Sequence, residues 1–280
     1  MGEKKAFEFM KLPKLQSKPR KKGIVEIRGP YYTSITFDWL RGLLHDWSDW
    51  FDGYKFAAGS FRLLDASTLK SIINLCHDHD VYVSTGGAVE RYIIEGPEMV
   101  DRYFEECKRF DFDVIELSSG FADIPTPDMI EMVKRVRELG MKPKPEISFM
   151  YEAGGGTHEA DYRVRYKPTG RIMDEIRQLV RSGVELMMFE SEGITEDLPV
   201  EKWRKDLIMK VVKEFGFERF MFEASDPPVF KWYYKQFGRD VNLFVDHSQL
   251  VEYNIWRLGL WGDADIWNGR KASYKGAAKR

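Results

Sequence analysis

Along the chain, short apolar runs alternate with longer stretches whose apolar residues recur every three or four positions. The short runs are GIVEIRG (23–29), DGYKFAAG (52–59), VYVSTGG (81–87), DVIELSSG (113–120), KPKPEISF (142–149), ELMMFESEG (185–193), RFMFEAS (219–225) and VNLFVDH (241–247). Each is the length of a strand, and all but KPKPEISF end in Gly or polar residues. Between them the helical period predicts helices over 36–51, 65–79, 101–110, 126–139, 172–182, 202–215 and 229–237. Thr126-Pro127 is expected to cap and begin one of these, Gly140 to end it, and Asp65 to cap another. Eight strands with helical stretches between them in 280 residues predict an α/β protein, a single (β/α)8 TIM barrel. Arg28-Gly29-Pro30 after the first strand does not fit the Gly-rich fingerprint of an open dinucleotide-binding sheet.

The barrel is expected over 23–268, between a basic arm at 1–22 and a basic tail at 269–280, both read as solvated ends. Met150 to Thr169 is long for a loop and carries Gly154-Gly155-Gly156, Arg163, Arg165 and Lys167, so a lid over the site is one reading and a plain insertion the other. The formal net charge is -2, which gives no general pull toward nucleic acid or anionic lipid. Cys76 and Cys107 lie in helical stretches and read as reduced core residues. No run approaches a transmembrane span and no signal peptide is recognisable, so a soluble cytoplasmic protein is expected. His77 and His79 close a helix on the side away from the barrel mouth and read as structural. Trp39, Trp47 and Trp50 in the first helix read as core or subunit contact, and a homo-oligomer is expected.

In such barrels chemistry gathers at the C-terminal ends of the strands. Here those ends hold Arg28, Lys55, Gly86-Gly87, Glu116 with Ser118, Glu146, Glu190 with Glu192, Glu223 with Ser225, and Asp246-His247. Converging carboxylates repel and need a cation: Lys55, Arg28 or a metal. Oxygen ligands alone favour Mg2+. Lys55 stands inside an apolar run, where an ammonium is costly unless paired or useful. Gly86-Gly87 lets the backbone approach an anion such as phosphate. Histidine is the side chain suited to proton transfer near neutral pH, and the pair Asp246-His247 ends the last strand.

DGYKFAAGS, VYVSTGGAVE, FDVIELSSG, RFMFEAS and VNLFVDHSQL, in this order, resemble the phosphosulfolactate synthase family over residues 6 to 266. IRGPYYT, HDVYVSTGG, MFEAS and NLFVDHSQ carry a closer likeness to the branch that includes plant heat-stress-associated proteins. The resemblance implies a TIM barrel lyase that adds sulfite to phosphoenolpyruvate with Mg2+, a step toward coenzyme M. Sulfite attacks the methylene carbon, charge builds on the carboxylate, and an acid protonates the neighbouring carbon. Carried onto this chain, it makes Lys55 a candidate catalytic residue, Gly86 and Gly87 candidates for the phosphate of small anionic substrates, and Glu116, Glu146 and Glu190 candidates for the metal. The strand-end serines Ser118 and Ser225 join the substrate candidates; Arg28, Arg163 and Arg165 are candidates to substitute for family cations, and His247, which has no equivalent in the synthases, is a candidate for a different acid. The chain departs from the family where a DKG-like turn is replaced by Arg28-Gly29, where lysines after the fifth-strand Glu are replaced by Ile147 and Ser148, and where an Arg after the sixth-strand Glu is replaced by Ser191. Two further readings follow: a non-catalytic stress-associated protein acting through protein contacts, and an aldolase-like enzyme using Lys55 as a Schiff-base amine.

Overall fold

A computed structural model describes residues 6–151, 165–196, 198–224, 226–263, 272–273 and 276–277. Eight parallel strands close into a barrel: β1 (Val25–Arg28), β2 (Gly53–Lys55), β3 (Tyr82–Ser84), β4 (Val114–Leu117), β5 (Lys142–Ile147), β6 (Met187–Phe189), β7 (Phe220–Ala224) and β8 (Asn242–Asp246). β1 pairs with both β2 and β8, so no edge is left open. The helices are α1 (Phe37–Trp47), α2 (Ala66–His77), α3 (Val89–Ile93), α4 (Pro97–Phe110), α5 (Thr126–Glu138), α6 (Thr169–Arg181), α7 (Lys205–Phe215), α8 (Pro227–Phe237) and α9 (Leu250–Arg257). This is the (β/α)8 barrel that the alternation predicts. None of these helices is long and apolar enough to cross a membrane.

The ends of the elements differ in detail. Helix α5 begins one residue early, so Pro125 stands at its N-cap and Thr126 is already helical. Asp65 occupies the N-cap of α2 without a capping hydrogen bond from its side chain. Thr36 caps α1, its hydroxyl accepting from Trp39 N–H at 3.3 Å. The stretch after Gly86-Gly87 turns at once into the short α3, which the hydrophobic period alone did not mark.

Side-chain parity decides what the strands deliver. Val25, Ile27, Ile115, Leu117, Phe220 and Phe222 alternate outward into the large core between sheet and helices. The opposite set, Met188, Met221 and Phe244, forms a separate apolar cluster that plugs the barrel. Glu26 and Arg28, Lys55, Glu116, Lys144 and Glu146, and Glu223 share its parity. Gly53 is part of this filling: a Cβ there would lie 2.2 Å from the Tyr82 ring, which occupies the space.

The N-terminal arm is seated rather than free. Arg20 pairs with buried Asp52 at 2.7 Å, Lys18 donates to the Asp80 carbonyl at 3.1 Å, and Lys22 meets Asp240. These acceptors precede β2, β3 and β8, so the arm crosses the end of the barrel opposite the strand-end residues. The long connection after β5 is described only where Met150–Tyr151 pairs antiparallel with Arg165–Tyr166. The lid reading for its middle part lies outside the described residues.

Candidate active site

At the C-terminal ends of the strands lies a cavity of about 370 Å3. Arg28, Lys55, Glu116, Ser118, Glu146, Glu190, Glu192, Glu196 and Glu223 line it, with Gly87 on one side and Tyr31, Tyr32, Phe121 and Phe244 as its aromatic surface.

The charges are organised by strand register. Arg28, Lys55 and Ser84 are level across β1, β2 and β3. Lys55 Nζ lies 2.7 Å from Glu116 Oε1 and 4.0 Å from the centre of the Phe244 ring. Lys144, from β5, lies one layer deeper, 2.5 Å from Glu26 Oε1 and 3.1 Å from Glu116 Oε2. Glu26, Lys144, Glu116 and Lys55 thus form a buried ladder of alternating sign. Burial opposes the charge on Lys55, but Glu116, Glu223 and Glu26 outweigh it and hold the ammonium above its ordinary pKa. Burial likewise opposes the Glu116 charge, and Lys55 and Lys144 prevail, holding that carboxyl below its usual value. A Schiff base needs Lys55 as a free amine, and this environment works against one.

Arg28 reaches across the barrel to Glu223 Oε1 at 2.6 Å and lies over Tyr31 and Tyr32, 5.5 and 5.2 Å from their ring centres. Glu190 bends back on its own turn and accepts from Ser191 N–H at 2.8 Å. Burial, then Glu223, Glu146 and Glu196, raise its pKa well above that of a free carboxyl. Glu190, Glu196 and Glu223 each offer a carboxylate oxygen within 4.8 Å of the others, an all-oxygen set suited to a hard divalent cation.

The sequence-predicted residues divide. Arg28, Lys55, Gly87, Ser118, Glu116, Glu146 and Glu190 come together around the cavity. Gly86 sits behind it with φ +62°, and its Cβ would lie 2.4 Å from the Phe56 carbonyl, so only glycine fits that turn. Of the three carboxylates expected to share a metal, Glu116 has an oxygen on each of two lysines and Glu146 contacts Ser118. Only Glu190 belongs to the trio that converges. His247 stands outside the cavity lining: its Nδ1 donates to the Arg28 carbonyl at 3.1 Å and its ring meets Trp39 edge-on. Asp246 accepts from Ser248 N–H and Oγ–H, bracing the turn that follows β8. Arg163, Ser225 and the side chain of Arg165 lie outside the described residues. Sequence reasoning missed Glu26, Glu90, Lys144 and Glu196. Strict alternation through KPKPEI would have put Lys144 on the same face as Glu146, but the strand frame was needed to say which face.

A family model for (2R)-phospho-3-sulfolactate synthase (ComA) matches residues 13–263. The chain belongs to this family. Among its relatives, Protein HEAT-STRESS-ASSOCIATED 32 of Arabidopsis thaliana is 32% identical over 251 residues, covering 86% of this chain and 87% of that one. The phosphosulfolactate synthase of Methanothermobacter thermautotrophicus is 24% identical over 263 residues, covering 92% and 96%. Among solved structures, the fold is similar to a putative fructose-1,6-biphosphate aldolase from Coccidioides immitis, with TM-score 0.56, 13% identity and coverage of 89% and 85%. It is also similar to the putative copper homeostasis protein CutC from Streptococcus agalactiae, with TM-score 0.52, 12% identity and coverage of 80% and 97%. At such identities these two attest the barrel fold alone.

Proposed function

We propose that this member of the ComA family is a Mg2+-dependent lyase that joins sulfite, or a related nucleophile, to phosphoenolpyruvate or a similar enol acid. The observation that carries the reading is the convergence of Lys55, Arg28 and six carboxylates on one cavity at the strand ends. Glu190, Glu196 and Glu223 would hold the cation. They fit it because Glu190 is crowded by carboxylates whose repulsion a divalent ion relieves. Bound there, the cation would supply positive charge for the substrate carboxylate as negative charge builds on it. Lys55, fixed as an ammonium by Glu116, provides a second positive charge beside that position. Arg28, held by Glu223 under Tyr31 and Tyr32, provides a third at the rim.

A second reading has specific support: a barrel that acts through protein contacts, without turnover. Identity is higher to the heat-stress-associated relative than to the synthase. Both cations of the cavity are also committed to carboxylates, which leaves an acidic surface for an anionic substrate.

Phosphorus NMR of the protein with phosphoenolpyruvate, sulfite and Mg2+ separates the two. The lyase reading expects a new phosphate-ester signal that needs all three reagents and is lost in Lys55→Ala. No such signal from folded, Mg2+-loaded protein rules the sulfite reaction out and favours the second reading.

A further inference from the structure

The connection from β4 to α5 gives the cavity Ser118, Gly120 and Phe121. Backbone N–H groups in such a wall need partners, yet among the described residues no backbone–backbone hydrogen bond holds residues 119–123. The anchor is a carboxylate from the neighbouring unit. Glu90, on α3 just after the Gly86-Gly87 turn, accepts three hydrogen bonds from this one stretch. Ser118 Oγ–H donates to Oε1 at 2.5 Å, Gly120 N–H to Oε1 at 3.0 Å and Ala122 N–H to Oε2 at 2.7 Å. At the far end of the stretch Asp123 accepts from Arg171 of α6 at 2.6 and 2.7 Å, and Arg171 also donates to Tyr151 Oη at 2.8 Å. Phe121 stands between the two anchors, 61% exposed, as part of the aromatic surface of the cavity.

The two anchors differ in cost. Asp123 and Arg171 are an exposed pair of opposite charges. Glu90 is buried, and among the described residues no Lys, Arg or His pairs with it. Its charge also stands near a second carboxylate, because Glu146 Oε1 lies 3.1 Å from the same Ser118 hydroxyl. A buried charge without a counter-ion is tolerated only where hydrogen bonds satisfy it, and here those bonds come from the cavity wall. A neutral isostere does not fit the same donors. The amide of glutamine has one acceptor oxygen, and its NH2 would face the N–H of Gly120 or Ala122.

We propose that Glu90 is a positioning residue for this cavity: its carboxylate holds the β4–α5 loop in the shape that sets Ser118 and Phe121 against a bound substrate. What the wall receives rests on the lyase reading above; the hold on the loop does not. Glu90 is not itself in the cavity lining and reaches a substrate only through the loop. It therefore contributes to binding of the ground state and the transition state alike.

Hydrogen exchange of the full chain, isotope-labelled in glycine and alanine and followed by NMR, reads the hold. In Glu90→Gln the Gly120 or Ala122 amide that faces the new NH2 is expected to exchange at least about tenfold faster, while the amides of Gly53 and Ala224 in the strands keep their rates. Unchanged exchange at both loop amides overturns the anchor. With phosphoenolpyruvate, sulfite and Mg2+, the same variant is expected to raise KM for phosphoenolpyruvate about tenfold and to leave kcat within about twofold; partial unfolding would instead lower kcat and spare KM. In a Phe121→Ala background, which lacks the ring that the loop presents, Glu90→Gln is expected to add less than about twofold to KM. Faster loop exchange with an unchanged KM overturns the positioning role. No turnover by folded wild type sinks the lyase reading, and the exchange rates then decide the anchor alone.

Discussion

The buried ladder makes a quantitative prediction about Lys144. Its ammonium lies 2.5 Å from Glu26 and 3.1 Å from Glu116, at 1% exposure, in the middle of the barrel. Lys144→Met keeps the length of the side chain and removes the charge. Glu116 retains Lys55 at 2.7 Å, but Glu26 loses the ammonium beside it in a site where water cannot replace it. Removing one partner of a buried ion pair costs about 3–5 kcal/mol. Urea unfolding followed by circular dichroism measures this. With a slope of about 3 kcal/mol per molar, the midpoint is expected to fall by about 1–1.7 M. Adding Glu26→Gln removes the stranded charge and is expected to recover most of the loss. A single-variant loss below about 1 kcal/mol, or a double variant no more stable than the single, refutes the reasoning that this lysine neutralises the inside of the barrel.

Two other expectations follow from the same interior. Gly53→Ala places a methyl group against the Tyr82 ring and is expected to cost about 1–3 kcal/mol, read as a lower urea midpoint; an unchanged midpoint would mean that the ring moves aside freely. Stability should also fall with rising pH. Burial, then Glu116 and Glu90, push the Glu146 carboxyl from 4.5 up to about 8, so in that window the folded protein keeps a proton there that the unfolded chain releases, and the contribution is complete below the window and lost above it. Urea midpoints across this range are expected to decline in wild type. Glu146→Gln should flatten the slope and leave the part due to Glu190, whose pKa is also raised; an equal slope in both proteins would contradict this origin.

Much of this protein was determined by its linear order. Eight apolar runs separated by helical periods are enough for a closed barrel, because parallel strands with helical crossovers must bury both faces of the sheet. The strand ends then locate the site: Arg28, Lys55, Glu116, Ser118, Glu146, Glu190 and Glu223 could be named from where their runs stop, and all line one cavity. Tertiary structure decided their electrical partners. Period-two alternation leaves two opposite assignments of faces until one residue is fixed, so the inward set of Lys144, Glu26 and Glu116 was not readable from any one strand. Ion pairs such as Arg28–Glu223 and Lys144–Glu26 join residues 195 and 118 positions apart, which only closure of the barrel brings together. Closure also separated residues that looked alike in the sequence: His247 braces the Arg28 backbone from outside, whereas Glu146 meets Ser118 at the cavity. A side chain's type is local, but its protonation, its partners and its access to a substrate depend on the field of neighbours that the fold assembles.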